Sequence, residues 1–196
     1  FVISGGLILL IGLLLVFAVA AGLLLSWSGG TIGVYGLLYS GGFLISMVLL
    51  RGAIGDVVGL TAILFLCAVV WFTDIGAYFV GRAVGGPKLA PAISPNKTLS
   101  GGIGGMICAA FGAAIIIMVA GLENAGGLLL LALVLSAISQ SGDLFESWIK
   151  RRSGVKDSGN IIPGHGGAMD RVDGLLFAAI SLWMVASLAN SFSAPS

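Results

Sequence analysis

The stretch FVISGGLILLIGLLLVFAVAAGLLL, residues 1–25, decides the fold. It contains no charged residue, and a membrane-spanning helix needs about 20 predominantly apolar residues. It has no basic leading region and no small-residue cleavage site, and it is too long for the apolar part of a signal peptide. It therefore reads as a true span. A chain that opens in mid-span also reads as a truncated N-terminal region, with further residues expected before Phe1.

The remainder follows the same rule. Of 196 residues, 58% are hydrophobic and 9% charged, where a soluble domain carries about 25% charged residues. Mean hydropathy is +1.14. So little polar surface excludes an ordinary cytosolic enzyme and a disordered chain. A net charge of +1 provides no field for polyanions, so no nucleic-acid partner is expected. Cys67 and Cys108 sit inside apolar runs, lack metal-ligand spacing, and read as small core residues.

Further apolar runs cover residues 31–50, 57–80, 100–120, 127–142 and 174–190, the fifth continuing as a polar helix to Arg152. The runs are long, lack the two-residue alternation of membrane barrels, and contain the glycines that membrane helices use for close packing. The expected fold is all-α, a polytopic membrane bundle of about six spans. Residues 1–56 read as N-terminal transmembrane helices. Residues 57–196 read as a catalytic transmembrane domain with loops at 81–99 and 143–173.

Eight of the nine basic residues fall in two regions. Arg82, Lys88 and Lys97 form one; Lys150, Arg151, Arg152, Lys156 and Arg171 form the other. Two spans separate them, so they share one face, which the positive-inside rule makes cytoplasmic. Glu123 falls on the opposite side. With six spans, Phe1 is outside.

Carboxylates near spans are costly and therefore informative. Asp74 lies late in the third run, Asp143 and Glu146 at the end of the fifth, and Asp170 and Asp173 just before the sixth. All crowd the cytoplasmic boundary. Asp143 and Glu146 are three apart and share a helical face, which Ser147 and Lys150 continue. Two carboxylate pairs make a hard-oxygen site suited to Mg²⁺ rather than zinc. Against this stands a plain pairing of interfacial carboxylates with Lys150, Arg151 or Arg171.

The segment KRRSGVKDSGNIIPGHGGAMDR, residues 150–171, holds five basic residues, six Gly or Pro, and the chain's one His. Glycines let backbone N–H groups approach an anion, and Arg and Lys neutralise phosphate. With Mg²⁺ this is equipment for phosphoryl or nucleotidyl transfer. The plainer alternative is a basic loop resting on anionic lipid headgroups. His165 reads as a phosphate contact, a base or a loop-ordering residue. No G-x-S-x-G and no Walker A motif occurs. In the other loop, Ser94, Lys97, Thr98 and Ser100 are candidate phosphate donors before a helix N-terminus.

Residues 147–173, SWIKRRSGVKDSGNIIPGHGGAMDRVD, resemble the signature of the phosphatidate cytidylyltransferase (CDP-diacylglycerol synthase) family. The shared positions are Ser147, Lys150, Arg151, Lys156, Asp157, Gly159, Pro163, His165, Gly166, Gly167, Asp170, Arg171 and Asp173. TDIGAYFVGR around Asp74 and ISPNKTLSGG around Lys97 are weaker family-like stretches in the same order. The resemblance implies that phosphatidate and CTP give CDP-diacylglycerol and pyrophosphate with Mg²⁺, a second cation being conceivable. It implies Asp143 and Asp170 as metal ligands with Glu146 beside them, and Lys150, Arg151, Lys156 and Arg171 as phosphate contacts. Asp74, Ser94, Lys97, Thr98, Asp157, His165, Gly166, Gly167 and Asp173 follow as substrate-binding candidates. It also implies an inner-membrane enzyme working on the cytoplasmic face, and a homodimer, which the glycine-rich helix faces would permit. The rival readings are a CTP-dependent polyprenol or phytol kinase, a transporter with intramembrane carboxylates, and a non-catalytic lipid-binding scaffold.

Overall fold

The computed structural model describes residues 31–52, 57–152 and 173–193. Five helices and one hairpin appear in chain order: α1 (Thr31–Arg51), α2 (Val57–Val84), β1 (Lys88–Ala90), β2 (Ser94–Thr98), α3 (Leu99–Ala120), α4 (Ala125–Arg152) and α5 (Asp173–Ser193). The run at residues 1–25 lies outside the described residues. Among the described residues, α2, α3 and α4 are long and apolar enough to cross a membrane, which makes this a membrane protein. The count of six is therefore neither reached nor excluded.

The helices form where the apolar runs are, and they stop for local reasons. α2 ends where Gly85 and Gly86 take positive φ, a conformation that costs glycine nothing. α3 ends at Gly121 in the left-handed conformation, whose N–H returns to Ile117 O and Met118 O. α3 begins at Thr98, whose hydroxyl accepts the Gly101 N–H at 3.1 Å. Removing such a cap costs about 1 kcal/mol. Thr98→Ala is expected to lower the thermal midpoint in detergent by that amount, while Thr98→Ser largely retains it.

Two compact units divide the chain: residues 1–63 with 182–196, and residues 64–181. In the first, α1 and the start of α2 pack so closely that a Cβ on Gly59 would lie 2.0 Å from Arg51 O. The second holds the site. Its core joins Phe65, Leu66 and Val69 of α2, Ala109 and Ala113 of α3, Ala132 and Leu135 of α4, and Ala178 and Ala179 of α5, all buried. Small residues let the backbones approach, as membrane helices require when lipid offers no hydrophobic contrast. At Gly105 the close approach is to backbone, since a Cβ there would lie 2.8 Å from Thr73 O on α2. Thr73 in turn donates to Ser136 Oγ at 2.8 Å, a fully buried hydrogen bond between α2 and α4. The outward faces are equally apolar: Trp71, Phe79, Ile107, Phe111 and Val119 are all exposed. Such surface suits lipid rather than water.

Candidate active site

At 28 residues, α4 is longer than the bilayer core requires. At 1.5 Å per residue it spans about 42 Å, against about 30 Å of hydrocarbon. Its polar end, from Asp143 to Arg152, accordingly extends beyond the apolar part. The β1–β2 hairpin covers the same end of the unit. Its strands are antiparallel, with Lys88 opposite Thr98 and Ala90 opposite Ser94, and a register shift between them. Ile93 N–H to Ala90 O at 3.1 Å closes the turn, and Leu99 N–H to Pro87 O at 2.9 Å ties the hairpin to α3.

This hairpin delivers Lys97 to α4. The Lys97 ammonium pairs with the Asp143 carboxylate across 46 residues of chain, both side chains about a third exposed. Asp74 of α2 stands within electrostatic reach of both. These three residues line a cavity of about 810 Å³ together with Tyr78, Arg82, Lys88, Ser94, Asn96, Thr98, Gly102 and Gln140. The volume lies within the range of small-molecule sites. Three cations and two carboxylates share the wall, a balance suited to a polyanionic ligand that brings or binds a cation.

One turn beyond Asp143, Glu146 is buried and meets Lys150 Nζ at 3.5 Å. Asp173, the first residue of α5, stands beside the Glu146 side chain. α5 reaches α4 here because Gly142 and Gly174 leave room: a Cβ on Gly142 would lie 2.5 Å from the Phe177 ring. Arg151 turns back to the hairpin, its Nε donating to Ile93 O at 3.4 Å. Arg152 lies over the Trp148 ring, 5.4 Å from its centre.

Asp74, Ser94, Lys97, Thr98 and Asp143, singled out as separate candidates, thus meet in one cavity. Thr98 is nearly buried and its hydroxyl serves the α3 cap, so it shapes the wall more than it faces the cavity. Glu146, Lys150 and Asp173 form an adjacent cluster, and Arg151 braces the hairpin. Lys156, Asp157, His165, Gly166, Gly167, Asp170 and Arg171 lie outside the described residues. Sequence reasoning passed over Gln140, Asn96 and Tyr78. The signal available was weak: Gln140 lies three residues before Asp143 on the same helical face, and Tyr78 lies four before Arg82, whose Nη1 donates to the Tyr78 hydroxyl at 3.1 Å.

Among the described residues no three His, Cys, Asp or Glu side chains assemble into a metal cage. Mg²⁺ asks for less, being held by one or two carboxylates, with substrate phosphates and water filling the octahedron. Asp143 and Glu146 lie on one face of α4 with Asp173 beside them, and Lys97 and Lys150 pair with the first two.

The profile of the cytidylyltransferase family matches residues 3–189. A phosphatidate cytidylyltransferase of Brucella suis biovar 1 (strain 1330) is 52% identical over 161 residues, which cover 82% of this chain and 59% of that protein. The Bacillus subtilis (strain 168) protein of the same name is 51% identical over 134 residues, 68% of this chain and 50% of its own length. One from Staphylococcus epidermidis (strain ATCC 12228 / FDA PCI 1200) is 51% identical over 120 residues, 61% of this chain and 46% of its own. The chain thus spans between 46% and 59% of the length of these relatives. The matched stretch includes every element that builds the cavity, and the chain belongs to the cytidylyltransferase family.

Proposed function

We propose that this chain carries the reaction centre of an integral membrane nucleotidyltransferase that converts CTP and phosphatidate to CDP-diacylglycerol and pyrophosphate in phospholipid biosynthesis. The observation that carries the reading is the Lys97–Asp143 pair set in a mixed-charge cavity at one end of apolar helices. Family membership and the relatives' names support the nucleotide and the lipid. Most of the basic residues flank this end, and the positive-inside rule then orients the cavity to the cytoplasm of the inner membrane, where CTP is available.

In this reading a phosphate oxygen of phosphatidate attacks the α-phosphorus of CTP. The new P–O bond forms as the bond from that phosphorus to the bridging oxygen breaks, and pyrophosphate leaves with the electron pair. The nucleophile is already an anion at neutral pH, so no strong base is needed. Lys97, Lys88 and Arg82 hold phosphate oxygens and hold the two anions together against their repulsion. Lys150, Lys156 and Arg171 serve the leaving pyrophosphate, with Arg151, Asp157, His165, Gly166 and Gly167 ordering the loop around it. Asp143 and Asp170, with Glu146 beside them, would hold Mg²⁺, a second cation being compatible with so many carboxylates. Bound there, Mg²⁺ supplies charge neutralisation to the triphosphate. Asp74 lines the same cavity and adds a second carboxylate beside the Lys97–Asp143 pair. The working unit is proposed to be a homodimer, with no nucleic-acid partner.

Product identification tests this. The purified full chain, given CTP, Mg²⁺ and phosphatidate, is expected to release pyrophosphate and form CDP-diacylglycerol, both seen by mass spectrometry. Release of CDP with a newly phosphorylated polyprenol would assign a kinase instead. Ion flux without nucleotide turnover would assign a transporter.

A further inference from the structure

Gln140 of α4 stands in the cavity wall one turn before Asp143, yet no step of the proposed reaction uses it. Its amide is fixed. Nε2 donates to Gly102 O on α3 at 3.2 Å and to Ser136 Oγ on its own helix at 3.3 Å. Ser136 is held in turn by the hydroxyl of Thr73, buried on α2, at 2.8 Å. A backbone carbonyl only accepts, so the atom facing Gly102 O is the NH₂ group and the amide has one orientation. That leaves Oε1, which meets no donor among the described residues. A half-buried acceptor held in one orientation without a donor is half of a hydrogen bond that a ligand completes.

The surroundings of this amide are neutral. A Cβ on Gly102 would lie 3.2 Å from Oε1 and 3.8 Å from Leu89 Cδ1, so a side chain there would crowd the oxygen. Next to it, a Cβ on Gly101 would lie 3.2 Å from Gly81 Cα on α2. Backbone and one leucine thus make a flat, uncharged stretch of the cavity wall, whereas Arg82, Lys88 and Lys97 line other parts of it. A flat neutral wall with one fixed acceptor suits a planar ring carrying an N–H donor, and it offers nothing to a phosphate. Of the two proposed substrates only the nucleotide has such a group. Both remaining glycerol oxygens of phosphatidate are esterified, while the cytosine N4 amino group donates in the plane of its ring.

We infer that Gln140 reads the nucleobase: its Oε1 accepts a hydrogen bond from the cytosine N4 amino group while the ring lies along Gly102 and Leu89. Gln140 is then a specificity residue for the nucleotide. Uracil presents a carbonyl oxygen at the same ring position and sets acceptor against acceptor. The Thr73–Ser136–Gln140 chain serves this reading by fixing the amide from three helices. The inference rests on CTP as the substrate proposed above, and the experiment separates the two.

Equilibrium binding tests it without turnover. The full chain in detergent with Mg²⁺ is titrated with CTP, with UTP, and with the triphosphate of 4-deaminated cytidine, which lacks only the amino group. The wild type is expected to bind CTP about tenfold more tightly than either of the others. In Gln140→Met the loss is expected to fall on CTP, bringing the three nucleotides within about threefold of one another. Equal affinity of the wild type for CTP and the deaminated nucleotide would overturn the inference, and this arm holds even where Gln140→Met does not fold. Equal weakening of all three nucleotides by Gln140→Met would make Gln140 a structural bridge or a ribose contact, and would overturn it too. Gln140-dependent selection of CTP without transfer to phosphatidate supports the base contact and leaves only the reaction assignment to fall. Transfer from CTP with no such selection does the reverse.

Discussion

Asp143→Asn is expected to lower CTP turnover by about a thousandfold while leaving the protein folded. The two halves of that statement have separate physical grounds. The Lys97–Asp143 pair is about a third exposed on each side, and exposed pairs contribute about 0.2–1 kcal/mol to stability. Asn keeps the shape of Asp and can still accept a hydrogen bond from Lys97. Unfolding should therefore shift little. The reaction suffers far more. The carboxylate is proposed to bind the metal and to balance the Lys97 charge at the point where charge develops in the transition state. Loss of one such group costs about 3–4 kcal/mol of barrier, two to three powers of ten in rate. Turnover and thermal midpoint measured on the same preparation check both halves. Lys97→Met is expected to fall less far, by about a hundredfold, because Lys88 and Arg82 line the same cavity. The double variant should lose less than the product of the two single losses, since the partners act as a unit.

The largest effect on stability is expected from Gly105→Val. Gly105 is buried on α3, and its missing Cβ would lie 2.8 Å from Thr73 O and 3.3 Å from Ala77 Cβ. The first neighbour is backbone and cannot swing aside. Valine adds two methyl groups beyond the Cβ, so α2 and α3 must move apart, and the Thr73–Ser136 hydrogen bond is strained with them. Overpacking of this kind costs about 1–3 kcal/mol, and loss of the interhelical hydrogen bond adds about 0.6–1.7 kcal/mol. Thermal unfolding in detergent should show a large drop or no folded protein. Gly126→Ala serves as the control. No atom lies within 4 Å of a Cβ there, so no comparable loss is expected.

The helices were legible because the bilayer demands a simple thing of the chain. Apolar runs at 31–50, 57–80 and 100–120 return as α1, α2 and α3 almost residue for residue, and the fifth run does continue as a polar helix to Arg152. The extra turn of α2 to Val84 was not legible. Nothing in Gly81 or Arg82 forbids helix, and the stop comes only from the backbone at Gly85 and Gly86. The hairpin was hidden for a different reason. Strands of three and five residues interrupted by Pro91 and Pro95 lack the alternation that announces β structure, and backbone pairing holds them. Without the hairpin, Lys97 and Asp143 could be placed on one membrane face but not in contact. Gln140 and Gly102 carry no charge, so a search for carboxylates and cations passed over them. The signature at 147–173 carried the family because its fixed positions are many, whereas cavity walls are set by residues far apart in the chain.

The central claim is that cytidylyl, not phosphoryl, leaves CTP for a lipid at the Lys97–Asp143 cavity. The most direct measurement follows the label. The full chain is given phosphatidate and CTP labelled with ³²P at either the α or the γ position, with Asp143→Asn alongside. The account predicts label in the lipid from α-labelled CTP alone, and almost none with the variant. Label in the lipid from γ-labelled CTP, or undiminished transfer by Asp143→Asn in folded protein, would contradict it.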